Sequence, residues 1–102
     1  MRSSEQNGIF HARCRELANF WSENSQPLFG IYYNYTEEDV KTTVKRAYGP
    51  HWEYFDPVMN KKIKRLKSTS EYKVKEMSDL LMEMEALAVH QGYIFSDIKE
   101  KA

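Results

Sequence analysis

An apolar seam near the C-terminal end constrains the fold more than any other feature. Between Glu71 and His90, the residues Val74, Met77, Leu81, Met84 and Ala88 recur at spacings of 3, 4, 3 and 4, and Leu80 and Leu87 thicken the line. An α-helix turns by about 100° per residue, so these spacings place the side chains on one stripe. Such a stripe has to lie against another apolar surface. The chain has 102 residues, enough for one domain spanning residues 1–102, so the partner surface must come from that same small unit. A chain of this size buries only about 60–65% of the surface its unfolded form exposes, and a second copy is expected to add burial in a homodimer.

Two earlier segments carry the same period. From about Ser4 to Asn24, Phe10, Cys14, Leu17 and Trp21 form a stripe that Ile9 and Phe20 widen. Ser3 and Gln6 fit a capping box at its start, and Pro27 is expected to end it. The second helix starts at Thr36, with Asp39 three residues on and Glu37 and Glu38 between them; Gly49 and Pro50 stop it. Val40, Val44, Ala47 and Tyr48 are its expected apolar face. Gly92 fits the left-handed position after the third helix, and Tyr93, Ile94 and Phe95 then return to the core.

The connections are less regular. Leu28–Tyr35 is apolar and aromatic, and reads either as a short strand or as a connector. His51–Asn60 reads as irregular, with Pro57 arguing against an interior strand. Lys61–Lys67 alternates weakly and suits an exposed strand or ribbon arm. The expected fold is α+β and mainly helical: three helices with a small β element near Ile31–Tyr35 and Lys61–Lys67.

The net charge is zero, but its distribution is uneven. Residues 16–40 carry five acidic residues and no lysine or arginine, whereas residues 61–75 carry seven basic residues against Glu71 alone. A concentrated positive segment matters more for an anionic partner than the average does. Lys61, Lys62, Lys64, Arg65, Lys67, Lys73 and Lys75 suit a strip that neutralises phosphates. Trp52, Tyr54 and Phe55 lie just upstream and Tyr72 within it, and unpaired bases stack on such rings with little sequence preference. Arg13, Arg15, Lys41, Lys45 and Arg46 extend this surface if the first two helices present those faces together.

Other chemistries find less support. Cys14 sits in a helical pattern and is expected to pack, reduced, in a cytoplasmic setting. No apolar run approaches the ~20 residues of a membrane span. His11, His51 and His90 do not combine with Cys14 at zinc-ligand spacing, so no metal or other cofactor is expected. Glu53 and Asp56 flank Tyr54 and Phe55, and a Mg²⁺-dependent nuclease or junction-processing enzyme would have to use them; turn and surface roles are the alternative.

The two ends of the chain carry a family resemblance. R-S-S-E-Q-N at Arg2–Asn7 resembles the R-S-x-x-Q-N signature of the NinB family of phage recombination proteins. Ser68–Asp97 resembles that family's closing block: S-T-S, an acidic–apolar pair opening a long helix, a glycine after it, then S-D. Ser68, Thr69, Ser70, Val74, Glu76, Leu80, Leu81, Gly92, Ser96 and Asp97 carry this second match. The resemblance implies a homodimer that binds single-stranded DNA as a non-enzymatic accessory, or mediator, in recombination or replication. It also implies contact with the host's single-strand-binding protein and recombinase inside the bacterial cell. By position, Arg2, Gln6 and Asn7 become binding residues; Gln6 and Asn7 either hold a phosphate or hold the first helix against the S-T-S segment. The chain departs from the pattern in three places. It begins at the signature, without the β-containing segment that precedes it in relatives, so whatever that segment builds is expected to be missing or replaced. Glu71 stands where a basic residue often follows S-T-S, with Lys73 and Lys75 close enough to substitute, and His11 stands where relatives can have an aromatic ring.

The expected DNA-binding residues are therefore Arg2, Gln6, Asn7, Trp52, Lys61, Lys62, Lys64, Arg65, Lys67, Tyr72, Lys73 and Lys75. A protein-only adaptor or inhibitor, using the acidic 16–40 segment or the third helix, is the remaining alternative.

Overall fold

A computed structural model of the protein describes residues 4–99. The elements in order are α1 (Ser4–Phe29), α2 (Glu37–Tyr48), β1 (His51–Asp56), β2 (Lys61–Leu66), a 3₁₀ turn (Thr69–Glu71), α3 (Val74–His90) and the short α4 (Ser96–Lys99). The class is α+β and mainly helical, as the periodicity predicts.

The three long helices enclose a single core. α1 contributes Phe10, Cys14, Leu17, Ala18 and Trp21; α2 contributes Val40 and Val44; α3 contributes Met77, Leu80, Met84 and Ala88; Tyr72 and Phe95 complete it. α3 begins at Val74 rather than Glu71, and Val74 is exposed in its first turn. On α2 the buried face is narrower than the spacing suggests, because Ala47 and Tyr48 lie at the surface. Cys14 is fully buried, and desolvation pushes its thiol up to about 12, so it packs as a small apolar residue and is no nucleophile at neutral pH.

Local signals set the helix ends. The Thr36 hydroxyl accepts the Asp39 N–H (3.1 Å), while the Asp39 carboxylate accepts the Thr36 N–H (3.0 Å). This reciprocal cap is worth on the order of 1 kcal/mol. After α3, Gly92 takes a φ of 90°. The Tyr93 N–H then reaches the Ala88 carbonyl (2.8 Å) and the Gly92 N–H the Val89 carbonyl (3.0 Å), which turns the chain so that Phe95 re-enters the core.

Polar side chains of α1 tie it to the C-terminal end and to α3. Arg13 is almost fully buried; its guanidinium grips Asp97 through Nε (3.2 Å) and Nη2 (2.8 Å), donates to the Leu81 carbonyl (2.7 Å) and lies 5.0 Å from the Phe95 ring centre. Glu16 Oε1 accepts from the Tyr93 hydroxyl and from both the N–H and the hydroxyl of Ser96. Trp21 donates its indole N–H to Gln91 (2.6 Å).

Two expectations are corrected here. α1 does not end before Pro27, which sits within its last turn. Proline removes one donor there, but the Gly30 N–H recloses on Gln26 (2.9 Å), and the φ of 89° at Gly30 is what breaks the helix. The 31–35 stretch is a connector and not a strand. Two of its backbone N–H groups are held by serine hydroxyls of α1: Tyr33 donates to Ser25 Oγ (2.8 Å) and Tyr35 to Ser22 Oγ (2.7 Å). With those groups committed, the β element forms elsewhere, between Lys61–Leu66 and the 51–56 segment that reads as irregular.

Candidate nucleic-acid interface

β1 and β2 pair in antiparallel register, from His51 opposite Leu66 to Asp56 opposite Lys61. The turn between them follows from its residues. Asp56 Oδ1 accepts the N–H of Val58 (2.9 Å) and of Met59 (3.2 Å), Pro57 pre-sets the first bend, and Asn60 adopts a left-handed φ of 53°, which asparagine tolerates. Asp56 thus has a turn-forming role. Glu53 lies 3.7 Å from the His51 imidazole, and no cluster of three or more metal-ligating side chains occurs among the described residues.

Strand side chains alternate between faces, so the register sorts the hairpin residues. Trp52, Tyr54, Asp56, Lys61, Ile63 and Arg65 share one face. His51, Glu53, Phe55, Lys62, Lys64 and Leu66 share the other. Both faces are open: Tyr54 and Phe55 are 52% and 57% exposed, and Lys61, Lys62, Lys64 and Arg65 are all at the surface. None of these four cations forms an ion pair among the described residues.

The arm is fastened only at its root. The Lys67 N–H closes on the Pro50 carbonyl (3.2 Å). Lys67 Nζ sits 4.2 Å from the Trp52 ring centre and pairs with Glu76 (2.9 Å), so this lysine is buried and committed to the fold. The Trp52 indole donates to Glu71 (2.9 Å), and the same carboxylate accepts the Ser68 N–H (2.9 Å). These two bonds, the backbone one first, hold Glu71 below the ordinary carboxylate range. Glu76 is held low in the same way, by the Lys73 N–H and then by Lys67. Glu71 therefore orders the S-T-S turn and docks the arm's first ring.

The remaining expected site residues are dispersed. Arg2 lies outside the described residues, as does Ser3 of the expected capping box. Gln6 donates to the Ser78 hydroxyl (2.7 Å) and the Val74 carbonyl (3.3 Å), fastening α1 to the start of α3 close to the S-T-S turn. Asn7 is half-buried beside it on α1. Tyr72 cannot stack on a base as expected. The turn after Ser68 rotates its ring into the core, burial pushes its phenol up to about 12, and its hydroxyl has no hydrogen-bond partner among the described residues. That hydroxyl lies behind Gly49, 2.6 Å from where a Cβ on Gly49 would sit. Lys73 is exposed, and Lys75 is exposed and paired with Asp79 (3.4 Å). Arg13 does not extend the basic surface, since Asp97 engages it in the interior. Arg15 faces Glu37 (3.7 Å). Arg46 does join the hairpin: with Gly49, Tyr48, His51, Lys64 and Leu66 it lines a cleft of about 530 Å³ at the arm's root. Reading the sequence singles out neither Tyr48 nor His51 as a site residue, because their proximity depends on β1.

A second groove, of about 360 Å³, is bounded by Trp21, Phe29, Tyr35, Val44, Tyr48 and Leu87 and carries no charged side chain. No protein-family model, curated protein or solved structure matches this chain.

Proposed function

We propose that this protein is a non-enzymatic single-stranded-DNA-binding accessory factor of phage recombination or replication, as its resemblance to the NinB family implies. The observation that carries the reading is the hairpin arm, whose Lys61, Lys62, Lys64 and Arg65 form no ion pair among the described residues and whose Tyr54 and Phe55 rings are exposed. Cations along such a ribbon neutralise phosphates and release counterions, while Tyr54 and Phe55 offer flat faces to unstacked bases and Trp52, which Lys67 and Glu71 engage, anchors the root. Lys67 and Tyr72 serve the fold in this reading, and Lys73 and Lys75 flank the arm as secondary phosphate contacts. Homodimerisation, and contact with a host single-strand-binding protein or recombinase, belong to the same proposal. The exposed apolar side chains of Ile31, Tyr32, Met82 and Val89 are surface such protein contacts would use.

A salt titration with labelled single- and double-stranded oligonucleotides tests it. The single strand should bind more tightly. The slope of log affinity against log salt should change by roughly 0.7 for each phosphate contact removed. Lys64→Glu with Arg65→Glu should therefore weaken binding and flatten the slope. Absence of binding to either form at low salt defeats the proposal and favours a protein-only adaptor.

A further inference from the structure

The arm alone does not explain a preference for unpaired strands. A two-stranded β-ribbon with cations on both faces also suits the groove of a duplex, and phosphate contacts are made equally to either form. A selective element has to use something that only an unpaired nucleotide offers, namely a free base face.

The structure assigns that role to the cleft at the arm's root: we propose that it takes one unpaired nucleotide, with its phosphate between Arg46 and Lys64 and its base against Tyr48 and His51. This deepens the proposed function and rests on it. Four observations converge on the site. The cleft brings two cations from different elements, the last turn of α2 and β2, to a single concavity. Neither cation is in an ion pair among the described residues. Tyr48, 41% exposed, and His51 line the same cavity together with Leu66. Its volume of about 530 Å³ falls within the roughly 300–1,000 Å³ of sites that hold small organic ligands.

The neighbouring apolar groove has aromatic walls but no cation to receive a phosphate. The floor of the proposed site is Gly49, where a Cβ would collide with both the Tyr72 hydroxyl and the Lys45 carbonyl, so the backbone there is held close to the body. Lys62 continues the line of Lys64 along the same face of β2, about 7 Å further out, and provides the next phosphate contact. Glu53 on that face is the one opposing carboxylate, and it lies against His51. A base inside a duplex is stacked above and below and paired at its edge, so it has no face to give Tyr48, and only the phosphate contacts survive.

The test measures affinities for a single-stranded oligonucleotide and for its duplex in parallel. Wild-type protein is compared with Tyr48→Ala, Tyr48→Phe, and Arg46→Ala combined with His51→Ala. Tyr48→Ala should lower single-strand affinity about tenfold, the scale of one lost stacking contact, and leave duplex affinity within twofold. Tyr48→Phe keeps the ring and should restore the preference. The double variant changes only exposed side chains, one on α2 and one on β1, so it reports on the site even if Tyr48→Ala disturbs folding. If wild-type protein prefers the single strand and all three variants keep its ratio of single-strand to duplex affinity, the cleft assignment fails while the binding function stands. If wild-type protein binds neither form, the function fails first.

Discussion

The helical body and the hairpin arm are built from similar residues put to opposite uses. In the body, polar side chains are consumed internally: Arg13 by Asp97 and Leu81, Glu16 by Tyr93 and Ser96, Gln6 by Ser78, Trp21 by Gln91. Along the arm, Lys61, Lys62, Lys64 and Arg65 form no ion pair among the described residues, and the Tyr54 and Phe55 rings beside them lie open. A charge with a partner inside the protein stabilises the fold and is lost to ligands. A charge without one adds little to the fold and is available. The proposed function accordingly rests on the arm and not on the core.

The comparison can be broken most directly at Arg13. Arg13→Ala removes the guanidinium that pairs with Asp97 and donates to the Leu81 carbonyl. Urea denaturation should show a loss of about 3 kcal/mol, the scale for breaking a buried pair. The arm variant Lys64→Glu with Arg65→Glu should stay within about 0.5 kcal/mol of wild type in the same assay. Comparable losses from both would erase the distinction between body and arm.

A somewhat smaller effect is expected at the junction of the two regions. In Gly49→Ala the added methyl carbon meets the Tyr72 hydroxyl at 2.6 Å and the Lys45 carbonyl at 2.7 Å. Overpacking of this kind costs about 1–3 kcal/mol, and thermal unfolding should show it. An unchanged melting temperature would mean that the root is not held as tightly as the packing of Tyr72 implies.

The smallest expected effect is the dependence of the root on pH. Glu71 and Glu76 are held below the ordinary carboxylate value of 4.5 in the folded protein. Lowered folded values mean that their contribution is fully present above 4.5 and is lost as the pH falls through the lower folded values. The indole N–H resonance of Trp52 should accordingly hold its position down to pH 4.5 and shift only below it, while that of Trp21, bonded to the uncharged Gln91, follows global unfolding. Simultaneous shifts of both resonances would show that the arm does not detach independently.

What the sequence reveals follows the same division. The seam of α3, the Thr36–Asp39 cap and the Gly92 turn are legible because each is set by residues within a turn or two of one another. β1 escapes notice because the polar–aromatic alternation of H-W-E-Y lasts four residues and breaks at Phe55–Asp56, and a strand exposed on both faces has no buried side to extend it. Pro57 signals correctly but one position late, since it belongs to the turn and not to the strand. The apolar 31–35 stretch misleads in the opposite direction, because hydroxyls contributed by Ser22 and Ser25 are invisible in its own composition. Tyr72 and Lys67 lie within the basic cluster on paper, yet one turn of 3₁₀ geometry buries the first, and Glu76 captures the second. Arg46, Tyr48 and His51 become neighbours only once β1 exists, so no local reading of the chain assembles the cleft.

The hydrogen bond between Lys67 and Pro50 has a consequence for how such a chain tolerates change. It brings the two ends of the arm together, so the helices experience residues 51–66 as a closed detour with a fixed entrance and exit. Lengthening a loop whose ends are already joined is inexpensive, about 0.6 kcal/mol for each doubling. Length, charge and ring content can therefore drift along that detour while the scaffold beneath keeps its shape.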